Sequence, residues 1–276
     1  MTTFTPAAVP AHRHAPAPDT CLALSLHNIS ADYGRGRQVL EDVTFSIAGG
    51  ERAAVVGPNG AGKSTLFKVI VGLMPHLSGD VLVHGHSHHA GDCTSIGYVP
   101  QRESVDWNFP VTVMDVVLMG RVKELGWLRR AGRADREAAR AALKQVGLEA
   151  LAARPIGDLS GGQQQRAFIA RALAQRADVL LLDEPFGGVD VEAQTALFAV
   201  LGDLQARGVT VLISTHDLEM ATTRFDRLLL LNRRLLANGP AESALTPERL
   251  AAAYGGRLTY WRDGQATTVT TDECCP

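Results

Sequence analysis

Apolar residues fall into three patterns along the chain, and each predicts a different kind of element. Near the start, Leu22, Leu24 and Leu26 alternate with Ala23, Ser25 and His27, and Val43, Phe45 and Ile47 alternate in the same way. Period-two alternation predicts antiparallel strands with one face buried. Residues 53–56, 179–182 and 209–213 are instead short aliphatic runs, as expected of parallel strands covered on both faces. After residues 53–56 a helical spacing takes over: Leu66, Val69, Ile70 and Leu73 recur at i, i+3, i+4 and i+7. From about residue 113 to 154 there is almost no strand pattern. Val113, Val116 and Val117 start one stretch, the Ala/Arg/Glu-rich residues 134–146 make another, and the region reads as a helical insertion. Residues 228–231, Asn232-Arg233, then Leu235 and Leu236 before Asn238-Gly239 predict a closing strand or hairpin. Beyond Gly256 the pattern carries no usable signal, and no internal repeat is visible.

Composition narrows the class. At 276 residues, and with ~150 per domain as a guide, one large or two small domains are expected. The chain is 46% hydrophobic and 20% charged, and 27 Lys+Arg against 29 Asp+Glu leave a formal charge of -2. That balance argues against a generic grip on nucleic acid or anionic lipid, so no nucleic-acid partner is expected. Residues 1–20 are rich in Ala and Pro, contain His12, Arg13 and His14, and lack the apolar stretch of a secretory signal; a disordered tail is expected. Purely apolar runs such as 179–182 and 228–231 are far short of the ~20 residues that span a bilayer, so the chain is not expected to cross a membrane by itself. Cys21, Cys93, Cys274 and Cys275 show no CxxC spacing, which fits a reducing cytoplasm.

Candidate chemistry lies where these patterns change. In GPNGAGKST, residues 57–65, Gly57, Gly62, Lys63 and Ser64 satisfy G-x-x-x-x-G-K-[ST] between a predicted strand and a predicted helix. Such a loop wraps phosphates with backbone N–H groups, its lysine reaches the terminal phosphates and its hydroxyl takes Mg²⁺. The plainer reading is a glycine turn with an incidental lysine. Asp183 and Glu184 end the buried run VLLLDEP. There Asp183 can hold Mg²⁺, usually through water, and Glu184 can act as general base for an attacking water; alternatively both only cap the next helix. His216 follows VTVLIST in the same way, at the strand edge where ligands of open α/β sheets collect, and is either a phosphate contact or structural. A second glycine site follows in LSGGQQQR, residues 159–166, where Ser160, Gly161 and Gly162 precede a helix carrying Phe168, Ile169 and Leu173. That loop is either an anion site at a helix N-terminus or a serine N-cap with a flexible start.

Taken together and in order, these motifs resemble the ATP-binding cassette (ABC) subunits of transporters, over about residues 22–252. Tyr33 stands where such subunits stack adenine. GPNGAGKST matches their phosphate loop, including Asn59, Gly60 and Thr65, and Gln101 in YVPQ matches the glutamine linking nucleotide, metal and partner. LSGGQ, with Gln163, is their signature sequence; VLLLDEP, GGVD ending in Asp190 and STHD with His216 complete the set. The resemblance implies an α/β P-loop NTPase fold, an ABC nucleotide-binding domain with an antiparallel β subdomain and a helical subdomain. It implies a domain over residues 21–255, its helical subdomain at about 111–175, with tails at 1–20 and 256–276. Implied cofactors are ATP and Mg²⁺, with Lys63, Glu184 and His216 catalytic, and Ser64, Gln101 and Asp183 around the metal. The signature loop of one copy closes over ATP held by the phosphate loop of a second, which explains two glycine loops in one chain. Implied partners are therefore a second copy, transmembrane permease subunits and an extracytoplasmic metal-binding protein, with the chain on the cytoplasmic face of the membrane.

RESVDWNFPVTVMDVVLMGR, residues 102–121, followed by Trp127 in LGWLRR, looks like the subunits of manganese, zinc or iron(II) importers. Siderophore or haem uptake, export of another solute, a soluble ABC switch protein and a nucleotide-binding scaffold without turnover are the alternatives. His84, His86, His88, His89, Asp92 and Cys93 lie within ten residues. They make either a metal-sampling cluster or, more plainly, a solvated histidine-rich turn.

Overall fold

In the computed structural model, the described residues are 22–34, 38–88, 95–101, 105–107, 109–125, 130–255, 257–262 and 265–270. The alternating segments form an antiparallel sheet: β1 (Leu22–Asp32) lies between β2 (Gln38–Ala48) and β4 (Ser78–Val83), with β5 (His86–Ser87) beyond β4. The aliphatic runs form a second sheet in the order β10-β9-β3-β8-β7-β6. Here β3 (Arg52–Val56), β6 (Ile96–Val99), β7 (Val179–Asp183), β8 (Thr210–Thr215) and β9 (Arg227–Asn232) are parallel. β10 (Arg234–Gly239) closes the edge as the antiparallel partner of β9, as the Asn232-Arg233 break predicts.

Both faces of the parallel sheet are covered, which is why its strands carry no polar alternation. Ala53, Val55, Leu181, Leu212 and Leu229 share one core with the inner face of the antiparallel sheet and with Leu66, Phe67 and Ile70 of α1 (Lys63–Ile70). Ala54, Val56, Leu180, Leu182, Ile213 and Leu228 face the other core. That core is closed by α2 (Val113–Leu118), α4 (Arg133–Gln145) and α5 (Gly161–Ala174), with the short α3 (Val122–Leu125) between α2 and α4. Val113, Val116 and Val117 of α2, and Ala139, Ala142 and Leu143 of α4, are buried there. Thr112 and Asp115 start α2 with a capping box. α6 (Val191–Ala206), α7 (Leu218–Arg224), α8 (Ala241–Ala244) and α9 (Pro247–Tyr254) follow β7, β8 and β10.

Two sequence expectations need correction. The apolar spacing carried the first helix through Leu73, yet α1 stops at Ile70 and Leu73 is 68% exposed. Gly72, at φ +72, donates to the Val69 carbonyl while Leu73 N donates to that of Lys68. This pair of bonds is the glycine-terminated helix stop known as a Schellman motif, and it turns the chain before the stripe is complete. Beyond Gly256, where the pattern predicted nothing, β11 (Arg257–Arg262) and β12 (Gln265–Thr270) pair as an antiparallel hairpin.

His84, in the left-handed region at φ +50, places Nε2 2.8 Å from the Asp178 carboxylate just ahead of β7. It thereby ties the β4–β5 turn to the parallel sheet. His89, Asp92 and Cys93 lie outside the described residues, as do residues 1–20, Cys21, Cys274, Cys275, Asn108 and Trp127. Among the described residues no group of three or more His, Cys, Asp or Glu is arranged to hold a metal ion. Among the described residues, too, no helix is long and apolar enough to cross a membrane.

Candidate active site

The loop from β3 into α1 rests on a rigid floor. A Cβ on Gly57 would lie 2.0 Å from the Leu231 carbonyl oxygen at the end of β9. Gly62 has φ +99, and a Cβ there would come within 2.8 Å of Leu40 Cδ2 and 2.9 Å of the Val39 carbonyl on β2. Arg233 N donates to the Ala61 carbonyl at 2.9 Å, fixing the loop from the β9–β10 turn. Glycine at positions 57 and 62 thus allows backbone to approach backbone, while Asn59 and Gly60 form an exposed crest. Gly62→Ala is expected to lower stability by about 2–4 kcal/mol, combining a strained backbone with overpacking. Urea unfolding should show this as a lower midpoint at unchanged slope.

Lys63 is buried and its ammonium donates to the carbonyls of Gly57 at 2.8 Å and Pro58 at 3.0 Å. Burial pushes its pKa below the ordinary lysine range, against the opposing pull of Glu184 and then Asp183. A cation on the floor of a phosphate loop, facing two carboxylates, is suited to a polyanion whose charge is shared with a metal. Ser64 is half-buried beside it. The Thr65 hydroxyl is 2.9 Å from that of Tyr33, whose ring is 58% exposed. A cavity of about 320 Å³ opens beside Tyr33, lined by Asp32, Met74, Pro75, His76 and Leu77 among others.

Asp183 ends β7 and is buried. The Ser214 hydroxyl on the neighbouring β8 donates to its Oδ1 at 2.5 Å, and the Tyr98 hydroxyl reaches toward Oδ2 at 3.4 Å. Burial first, then the Asp183 charge, raises the Tyr98 pKa well above the phenol range, so that hydroxyl keeps its proton to donate. Ser214 Oγ also accepts from Glu184 N at 2.9 Å, so one buried hydroxyl fixes both acidic residues. Glu184 adopts φ +46, a strained conformation for a side-chain-bearing residue, and its Oε2 lies 3.6 Å from His216 Nδ1. Neither acid caps a helix. Ser214 was missed from the sequence; its only signal was a hydroxyl interrupting an apolar strand two positions before His216.

Lys63, Asp183, Glu184 and His216 therefore gather at the carboxyl ends of adjacent strands β3, β7 and β8, and Gln101 stands half-buried just past β6. The second glycine loop is carried elsewhere. Ser160 is the N-cap of α5, in a reciprocal capping box with Gln163, so the plainer reading of that serine is correct as far as it goes. Asp190 caps α6, its Oδ1 accepting from Ala193 N at 2.7 Å. A Cβ on Gly162 would meet Ala193 Cβ at 2.5 Å, so α5 and α6 begin side by side. Ser160, Gly161, Gly162, Gln163 and Asp190 thus share one pair of helix N-termini, whereas the phosphate loop is seated on β2 and β9.

A glycine loop feeding a helix from a parallel strand, with two acids at the end of a strand in the same sheet, defines a P-loop nucleotide hydrolase. Comparison with known proteins narrows this class. The ABC transporter family profile matches residues 40–187. The manganese transport system ATP-binding protein MntB of Bacillus subtilis (strain 168) is 48% identical over 240 residues, covering 87% of this chain and 95% of that protein. The zinc transport system ATP-binding protein TroB of Treponema pallidum (strain Nichols) is also 48% identical over 240 residues, covering 87% and 90%. Among solved structures, a nucleotide-free ATP-binding cassette from an ABC transporter superposes with a TM-score of 0.72 at 26% identity, covering 84% of this chain and 94% of that one. The chain belongs to the ABC transporter family, as one of its ATP-hydrolysing cassettes.

Proposed function

We propose that this chain powers import of a divalent transition metal, manganese, zinc or iron(II), as a head-to-tail homodimer on the cytoplasmic face of the membrane. Separate permease subunits carry the metal across, and an extracytoplasmic metal-binding protein delivers it. The cargo reading rests on one observation: near-full-length identity of 48% to proteins named for manganese and for zinc transport. Iron(II) is the third cargo that the segment after Gln101 suggests.

In this reading, Gly57, Asn59, Gly60, Gly62, Lys63, Ser64 and Thr65 bind the phosphates of ATP, and Tyr33 stacks on the base. Mg²⁺ prefers oxygen ligands, and three oxygen-bearing side chains fit it: the Ser64 hydroxyl, the Gln101 amide and the Asp183 carboxylate, whose Oδ1 accepts from Ser214 and whose Oδ2 accepts from Tyr98. When bound, Mg²⁺ neutralises charge on the phosphates. Glu184 takes the proton of the attacking water and His216 contacts the terminal phosphate; the 3.6 Å between them supports a shared task. Ser160, Gly161, Gly162 and Gln163, with Asp190 beside them, close over the nucleotide held by the second copy. Support for that division is the separate seating of the two glycine loops within one chain. ATP favours the closed pair and hydrolysis releases it, so the difference in contacts between the two states drives the permease.

The cargo is tested by elemental analysis of cells with and without this chain, each grown in limiting manganese, zinc or iron. Lower accumulation of at least one metal is expected, with restoration by the intact gene; equal accumulation of all three would refute the assignment.

A further inference from the structure

The Asp106-Trp107 pair belongs to the stretch that suggests metal import, yet the nucleotide chemistry leaves Trp107 without a role. Its ring packs edge-to-face on Phe168 of α5, with centroids 5.4 Å apart and planes at 65°. Its carbonyl oxygen lies where a Cβ on Gly157 would come within 2.7 Å. Gly157 sits in the single turn Ile156–Asp158, immediately ahead of the signature loop, and Phe168 lies two turns into the helix that the loop opens. Trp107 therefore touches the signature element on both sides of Ser160.

Strand β6, ahead of Gln101, is fastened to the same helix. The Arg171 guanidinium lies over the Phe168 ring, 4.5 Å from its centroid, and its Nη2 donates to the Tyr98 carbonyl at 2.8 Å. Gln175 Nε2 donates to the Ile96 carbonyl at 3.0 Å. Strand β6, which leads into Gln101, and Trp107 are thus both pinned to α5, with Phe168 between them. The first residues of α5 are the signature glycines.

We propose that Trp107 is a positioning residue for the signature loop. Through Phe168 and Gly157 it holds α5 and the turn ahead of it in the orientation in which Ser160 reaches the nucleotide of the second copy. This rests on the homodimer reading above.

The test uses the full chain carrying Glu184→Gln, in which ATP-bound dimers should persist. Adding Trp107→Ala is expected to raise the dimer dissociation constant, measured by sedimentation with ATP and Mg²⁺, about three- to tenfold, the range an aromatic pair supplies. ATP affinity of the monomer, from titration with a fluorescent nucleotide, should not change. Phe168→Leu should reproduce the effect from the other side of the contact, and Trp107→Phe should largely restore dimerisation. Unaltered dimerisation in both Trp107→Ala and Phe168→Leu, with the parent dimerising, overturns the assignment. So does an equal loss of monomer ATP affinity, which would mark Trp107 as a general prop of the fold. A parent that does not dimerise removes the homodimer reading and this assignment with it.

Discussion

Glu184→Gln is expected to lower ATP turnover by about 10²–10⁴, the usual contribution of a positioned general base, while leaving ATP binding intact. The two effects separate because they rest on different atoms. Glu184 is held through its backbone N–H by Ser214, a bond that the amide side chain does not disturb, so the strand exit keeps its shape. The phosphate loop, anchored on Leu231, Val39 and Arg233, is untouched. What is lost is a carboxylate able to accept a proton beside His216. ATP-bound dimers should therefore accumulate, visible by sedimentation at concentrations where the unmodified protein, hydrolysing its ATP, is mostly monomeric. Turnover within about twofold of the unmodified protein would remove Glu184 as the base.

The second large effect is expected from mixing two inactive proteins. Lys63→Ala removes the buried cation from the phosphate loop and should abolish tight ATP binding. Ser160→Arg leaves that loop intact but places a long cationic side chain on the exposed signature loop. It should bind ATP and yet lose about 10³-fold in turnover, the scale of a missing group supplied in trans. Neither variant alone can form a complete site. In an equal mixture half of the dimers are mixed, and each mixed dimer pairs the sound phosphate loop of one chain with the sound signature loop of the other. Activity should recover to roughly a quarter of the unmodified rate. A mixture as inactive as its components would argue that both loops serve a nucleotide within one chain.

Legibility in the sequence followed the physics of each element. The parallel strands β3, β7, β8 and β9 were readable because burial on both faces favours aliphatic runs, and the phosphate loop because only glycine fits at positions 57 and 62; β6, where Gly97 and Tyr98 interrupt so short a run, was not read. The early end of α1 was hidden, since its apolar spacing continues to Leu73 and the deciding feature is the left-handed turn at Gly72. The role of Ser214 was hidden for another reason: it acts on Asp183 across a strand pairing, and a contact spanning 31 positions leaves no local pattern. The same holds for His84 with Asp178 and for Trp107 with Phe168. Ser160 shows where one residue leaves two readings open: its side chain caps α5, and a helix N-terminus also offers N–H groups to a phosphate. Motifs identified the chemistry, while tertiary contacts set which residues hold it in place.

The most direct test of the account is ATP hydrolysis per chain as a function of protein concentration, measured with saturating ATP and Mg²⁺. If each chain carries two incomplete half-sites, the specific rate should rise steeply with concentration and level off once the chains are paired. The Ser160→Arg protein should stay near background throughout. A specific rate that is already maximal at dilutions where sedimentation finds only monomer would contradict it.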